Sequence, residues 1–170
     1  MNRRTSGLVA LFACALTYTS ASAAGEIASG YRCVEGASPE KLVRTFLERD
    51  VIAAKPYEIM DAVHAFAAKP GHTAFGFPLV AVTAWQQNSE FFGRGPGTAP
   101  PVHFAFVVRA NTWQLARAVR QTGIKTVRQG WLEPYPQVHV VGFNSENQDT
   151  LPPGADPRFA YAQVICSPRL

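Results

Sequence analysis

The chain is poor in the residues that build metal centres and covalent active sites. Beyond residue 24 it has two cysteines and four scattered histidines, with no ligand spacing among them; metal binding is not expected. No Gly-x-Ser-x-Gly elbow occurs, and Ser89 stands in a polar stretch without an identifiable base, so a serine hydrolase has no anchor. Past the N-terminus, no stretch reaches the roughly 20 uninterrupted apolar residues of a membrane span. Acid is missing from one long interval. Between Phe91 and Leu132 there is no Asp or Glu, yet Arg94, Arg109, Arg117, Arg120, Lys125 and Arg128 all fall there. Apart from Glu90, the acids gather in 26–61 and 133–156 instead. Such a basic face suits an anionic partner, either a phosphate-bearing ligand or an acidic protein surface. A merely solvated positive face is the alternative, and the charge is too sparse to argue for nucleic acid.

What is present begins at the N-terminus. Asn2-Arg3-Arg4 is followed by an apolar run over 8–18 and the small residues Ser20-Ala21-Ser22-Ala23-Ala24. That order is a secretory signal peptide over 1–24, cut after Ala23 or Ala24. A lipoprotein box at Leu11-Phe12-Ala13-Cys14 is the rival, with Phe12 bulky for it and the run before Cys14 short. The expected mature protein is exported, secreted or periplasmic, and a single globular domain over 25–170. That length is enough to bury a proper core. Loss of Arg3 and Arg4 would lower the formal charge from +4 to about +2. Only Cys33 and Cys166 survive processing, and outside the cytosol they most simply form one disulfide. Chain-entropy accounts give about 5 kcal/mol for so long a loop. Two free buried thiols are the alternative. A bridge would also set the N-terminal strand beside the last one.

Local signals outline a mixed α+β domain, with helices early, strands late and one helix between them. Residues 25–37 read as a short extended segment around Tyr31-Arg32-Cys33-Val34. Ser38-Pro39-Glu40 is a helix entry, with a cap, a first-position proline and a first-turn acid. Val43, Phe46, Leu47 and Val51 then share a face. A second helix is expected to carry Ile59, Val63, Phe66 and Ala67 and to stop at Pro70-Gly71. Strands are expected over 74–85, starting in earnest at Pro78, and over 102–109. Asn111 or Thr112 caps a helix with Leu115, Ala118 and Val119 inward and Gln114, Arg117 and Gln121 outward, ended by Gly123. Further strands are expected over 124–131, 138–143 and 159–166, with a loop from 144 to 157.

Several residue sets could carry chemistry. His103 and His139 lie in similar apolar strings and could line a phosphodiesterase cleft. Ala105 and Val141 replace the hydroxyl such sites place two residues after each histidine, so structural histidines are the simpler reading. Asp50, Asp61 and Glu90 share no strand end and make a poor carboxylate pair.

A fourth set is an order of elements. Tyr31-Arg32 opens the mature domain, and His64 follows in Asp61-Ala62-Val63-His64. Then come Phe77-Pro78-Leu79-Val80-Ala81-Val82-Thr83, the Gly93-Arg94-Gly95-Pro96-Gly97 segment and His103-Phe104-Ala105-Phe106-Val107-Val108-Arg109-Ala110. Gly123-Ile124-Lys125-Thr126-Val127-Arg128-Gln129-Gly130-Trp131 is last. This succession, over roughly 31–131, resembles the A subunits of bacterial ADP-ribosylating toxins of the pertussis and cholera group. The resemblance implies an α+β fold, with early helices followed by a mostly antiparallel split β-sandwich of ADP-ribosyltransferase-toxin type. It also implies NAD as substrate, ADP-ribose transfer to a host protein, and possible toxin partner subunits. Arg32 would take the NAD phosphates, which a guanidinium can bind bidentately. His64 would sit beside the nucleotide and Thr83 in the wall of the nicotinamide pocket. The Cys33–Cys166 bridge fits the family as well. The family's glutamate pair has no counterpart, because residues 111–122 contain no acid; loss of that anion would cost of order 10²–10³ in rate, which leaves a catalytically inactive relative as one form of the expectation. A periplasmic or secreted binding protein or inhibitor is the other expectation. It would use the basic face around Arg117, Arg120 and Arg128 and the Phe91-Phe92 segment.

Overall fold

The structure, a computed structural model, describes residues 26–28, 33, 37–93, 102–126, 137–143 and 151–167. The leader pattern, Arg32, Arg94, Arg128 and most of the strand expected over 124–131 lie outside them. Helix α1 (Pro39–Glu48) starts where its cap chemistry places it. Ser38 Oγ accepts from the Lys41 amide at 3.2 Å, Pro39 takes the first turn and Glu40 adds the acid there. Val43 and Phe46 are its buried residues, together with Pro39.

The second expected helix is instead a hairpin, β1 (Glu58–Met60) and β2 (Val63–Ala67). Ile59, Val63 and Phe66 fit helical spacing, but the chain reverses at Asp61-Ala62 with φ of 46° and 69°. Two consecutive positive φ values are what a two-residue type I′ hairpin turn requires. The same device recurs at Phe75-Gly76, φ 55° and 79°, between β3 (Thr73–Ala74) and β4 (Phe77–Trp85). The Glu26 carboxylate accepts from the amides of Phe75 (3.0 Å) and Gly76 (2.8 Å) and so ties the first described residues to that turn.

Strand β5 (His103–Val108) leads into helix α2 (Thr112–Gln121), and β6 (Gln137–Gly142) and β7 (Ala162–Ser167) follow. Asn111 and Gln114 form a reciprocal capping box at the start of α2, and Gly123, at φ 81°, follows its end. Residues 124–126 are irregular and not strand. The seven strands make an antiparallel sheet in the order β1-β2-β4-β5-β7-β6, with β3 beside β4.

Side chains alternate across a strand, so the registers divide the sheet into two faces. One face carries His64, Phe66, Val82, Ala84, Phe104, Phe106, Val138, Val164 and Cys166. Both helices cover it. The Phe46 ring lies 6.2 Å from Phe104 and 6.1 Å from Phe106, and Leu115 and Val119 of α2 are fully buried in the same core. Burying a side chain such as Phe104 stabilises by about 1.5–3 kcal/mol. A Cβ on Gly142 would run into the Thr112 hydroxyl, so the end of β6 and the start of α2 lie against one another. The opposite face carries Ala65, Ala81, Thr83 and Ala105, together with Trp85, His103 and Ile165. Cys33 and Cys166 form the expected bridge, with Cα atoms 5.6 Å apart across 133 residues of sequence.

Candidate functional site

The sheet registers decide where the expected nucleotide-binding residues point. Arg32 lies outside the described residues. His64 stands on β2, not on a helix, opposite Ala84 of β4. Thr83 is the next residue along β4, opposite Ala65, so alternation sends the two side chains to opposite faces of the sheet. His64 is 6 % exposed. Its ring lies 5.2 Å from Phe92 and stacks on Phe66 at 6.3 Å. Its Nδ1 donates to the Ala62 carbonyl at 3.0 Å, since a carbonyl can only accept. Burial pushes its pKa below the ordinary 6.5, the backbone hydrogen bond opposing. His64 is thus a neutral packing residue in an aromatic cluster.

Thr83 has a different partner. Its Oγ1 lies 2.9 Å from His103 Nε2 on the neighbouring strand, and burial lowers the His103 pKa from 6.5 to about 4. The pair is a satisfied polar contact on the face of the sheet opposite His64. His139 shares that face, but β7 lies between β5 and β6. Two strand spacings, roughly 10 Å, separate it from His103, too far for both to grip one phosphate.

The other candidates are also engaged locally. Ser89 donates to Glu40 Oε2 at 2.6 Å and accepts from the Phe91 and Phe92 amides. Hydrogen bonds from Ser89 and then Arg44 hold the Glu40 carboxyl below its usual range. Asp50 pairs with Lys69. The Phe91-Phe92 segment is no free binding loop: Phe92 is buried, and Phe91 packs under the Arg44 guanidinium at 4.8 Å. Among the described residues, no group of three His, Cys, Asp or Glu side chains could hold a metal ion. No described helix is long and apolar enough to cross a membrane.

What stays open is the outer side of α2. Burying Leu115 and Val119 turns Trp113, Gln114, Arg117, Arg120 and Gln121 to solvent. Trp113 is 66 % exposed, the most exposed large apolar side chain among the described residues. The Arg117 guanidinium, one turn on, lies 5.8 Å from its ring centroid, a cation–π arrangement. Arg120 and Lys125 extend the charge, and both are exposed. Among the described residues, none of these three cations is ion-paired. Sequence reasoning placed Arg117 and Gln121 outward but passed over Trp113. The signal was there: Trp113, Arg117 and Arg120 fall at i, i+4 and i+7, two residues out of phase with Leu115 and Val119. No family model matches the chain, and no solved structure matches it.

Proposed function

We propose that this protein is an exported, disulfide-tied domain that acts by binding an acidic protein surface through the outer side of α2. The observation that carries this is an exposed Trp113 under Arg117, flanked by Arg120 and Lys125 in a stretch of sequence without acid. Trp and Arg dominate binding energy where proteins meet, and unpaired cations steer an acidic partner. Export is supported by the leader pattern and agrees with the Cys33–Cys166 bridge. Transfer of ADP-ribose would need Arg32, His64 and Thr83 around one pocket. With His64 and Thr83 on opposite faces, and no carboxylate for the transition state over residues 111–122, binding is the better-supported activity.

Fluorescence anisotropy with a labelled poly-glutamate peptide tests the charge reading. Binding should weaken at least tenfold in the double variant Arg117→Glu/Arg120→Glu and fall with added salt. Calorimetric titration with NAD tests the rival. Saturable NAD binding that disappears in Arg32→Ala would restore the transferase proposal, with its split β-sandwich and toxin partner subunits, in place of this one.

A further inference from the structure

Two aromatic rings stand out on the described surface, Trp113 and the 45 % exposed Phe159. Each lies beneath a guanidinium: Arg117 over Trp113, and Arg109 over Phe159 at 4.6 Å. Arg109 leads directly into α2, and Trp113 is in the first turn of that helix, so both rings belong to one end of the molecule. A cleft of about 280 Å³ opens there, lined by Phe143, Leu151, Pro152, Pro157, Phe159 and Tyr161. It adjoins the helix, because Phe143 directly follows Gly142, which lies against Thr112.

The cleft wall is fixed by its own bonds. The Phe143 amide donates to the Tyr161 carbonyl at 3.1 Å, the Tyr161 hydroxyl to the Asp156 carbonyl at 3.0 Å, and the Phe159 amide to the same carbonyl at 3.1 Å. The nearby acid is already engaged: both Asp156 carboxylate oxygens accept from Arg158, at 2.6–3.0 Å. The hydrogen bonds from Arg158, and to a lesser degree the Arg109 charge, hold that carboxyl below its usual range. Among the described residues, the Asp156–Arg158 pair cancels and the cleft mouth carries net positive charge from Arg109, continued along α2 by Arg117 and Arg120.

We infer that this cleft is an anchor site for an acidic protein segment: one apolar side chain of the partner fills it while flanking carboxylates meet Arg109, Arg117 and Arg120. The inference rests on the binding function proposed above and adds the anchor and its specificity. Small-molecule sites run to about 300–1,000 Å³, so a cleft of this size suits one side chain better than a dinucleotide. Its concavity also favours a protruding side chain over a lipid surface, which needs a projecting apolar face.

A random peptide library displayed on phage and selected on the purified protein reads this out. Enriched peptides should carry Phe, Trp or Leu beside two or more Asp or Glu. Their affinity should fall at least tenfold in Phe159→Ser and in Arg109→Glu, with thermal unfolding unchanged to show that both variants fold. Acidic peptides without an anchor, insensitive to Phe159→Ser, would overturn the cleft assignment and leave the basic surface standing. Enriched peptides without acid, or indifferent to Arg117→Glu/Arg120→Glu, would overturn both, as would no enrichment at all. Co-sedimentation with phosphatidylglycerol vesicles in place of peptide binding would replace the protein partner by a membrane and equally overturn the inference.

Discussion

Replacing His103 by Gln isolates the group that makes this fold sensitive to acid. In the folded protein His103 Nε2 lies 2.9 Å from Thr83 Oγ1, and burial brings its pKa from 6.5 down to about 4. In the unfolded chain the same imidazole titrates near 6.5. The folded pKa is the lower one, so as pH falls the unfolded state takes up the proton first. Stability from neutral burial is then complete above about pH 6.5, declines below it, and is lost by about pH 4. The gap between the two pKa values corresponds to about 3 kcal/mol for a fully enclosed ring. His103 keeps some contact with solvent, so roughly 2 kcal/mol is the expected share. Gln does not titrate and retains an amide for Thr83. Urea unfolding of both proteins at pH 7.5 and pH 4.0 gives the comparison. Wild type should lose roughly 2 kcal/mol more on acidification than His103→Gln. His64, whose pKa is also lowered by burial, is present in both proteins and cancels. Equal losses in the two proteins would refute the assignment of a neutral, buried His103.

The same contact predicts that Thr83→Val costs about 1–3 kcal/mol by stranding the imidazole nitrogen. The substitution should be nearly neutral in a His103→Phe background, and a double-mutant cycle by urea unfolding measures the difference. Losing the bridge in Cys33→Ser/Cys166→Ser should destabilise by about 2–5 kcal/mol. Thermal unfolding of that variant, compared with wild type under reducing agent, should give matching midpoints, and a variant as stable as the oxidised protein would contradict the account.

Chemistry confined to a few neighbouring residues was the legible part of this chain. Ser38, Asn111 and Gly123 announce helix ends because a cap needs only one side chain and the amides two or three residues away. The two cysteines announced a bridge because the leader pattern pointed to export, and an oxidising compartment would leave them few alternatives. The β1–β2 hairpin stayed hidden for an equally local reason: Asp61-Ala62 lacks the glycine that marks a type I′ turn, so Ala62 takes a left-handed backbone that its composition does not advertise. Read as a helix, that segment put His64 on a helix face. Read as a strand, it puts His64 into the aromatic layer beneath Phe92.

Everything that depended on register was out of reach. Thr83 and His103 are 20 residues apart in sequence and meet because β4 pairs with β5 in one alignment. A slip of one residue would turn Thr83 toward the aromatic core and His64's side of the sheet. Adjacent placement in a chain pattern therefore carries no information about a shared pocket until the pairing is known. Helix α2 differs, since its period is intrinsic: once Leu115 and Val119 are committed to the core, Trp113, Arg117 and Arg120 have nowhere to go but outward. That is why the exposed side of α2 can be read from local sequence, whereas a pocket shared by residues of different strands cannot.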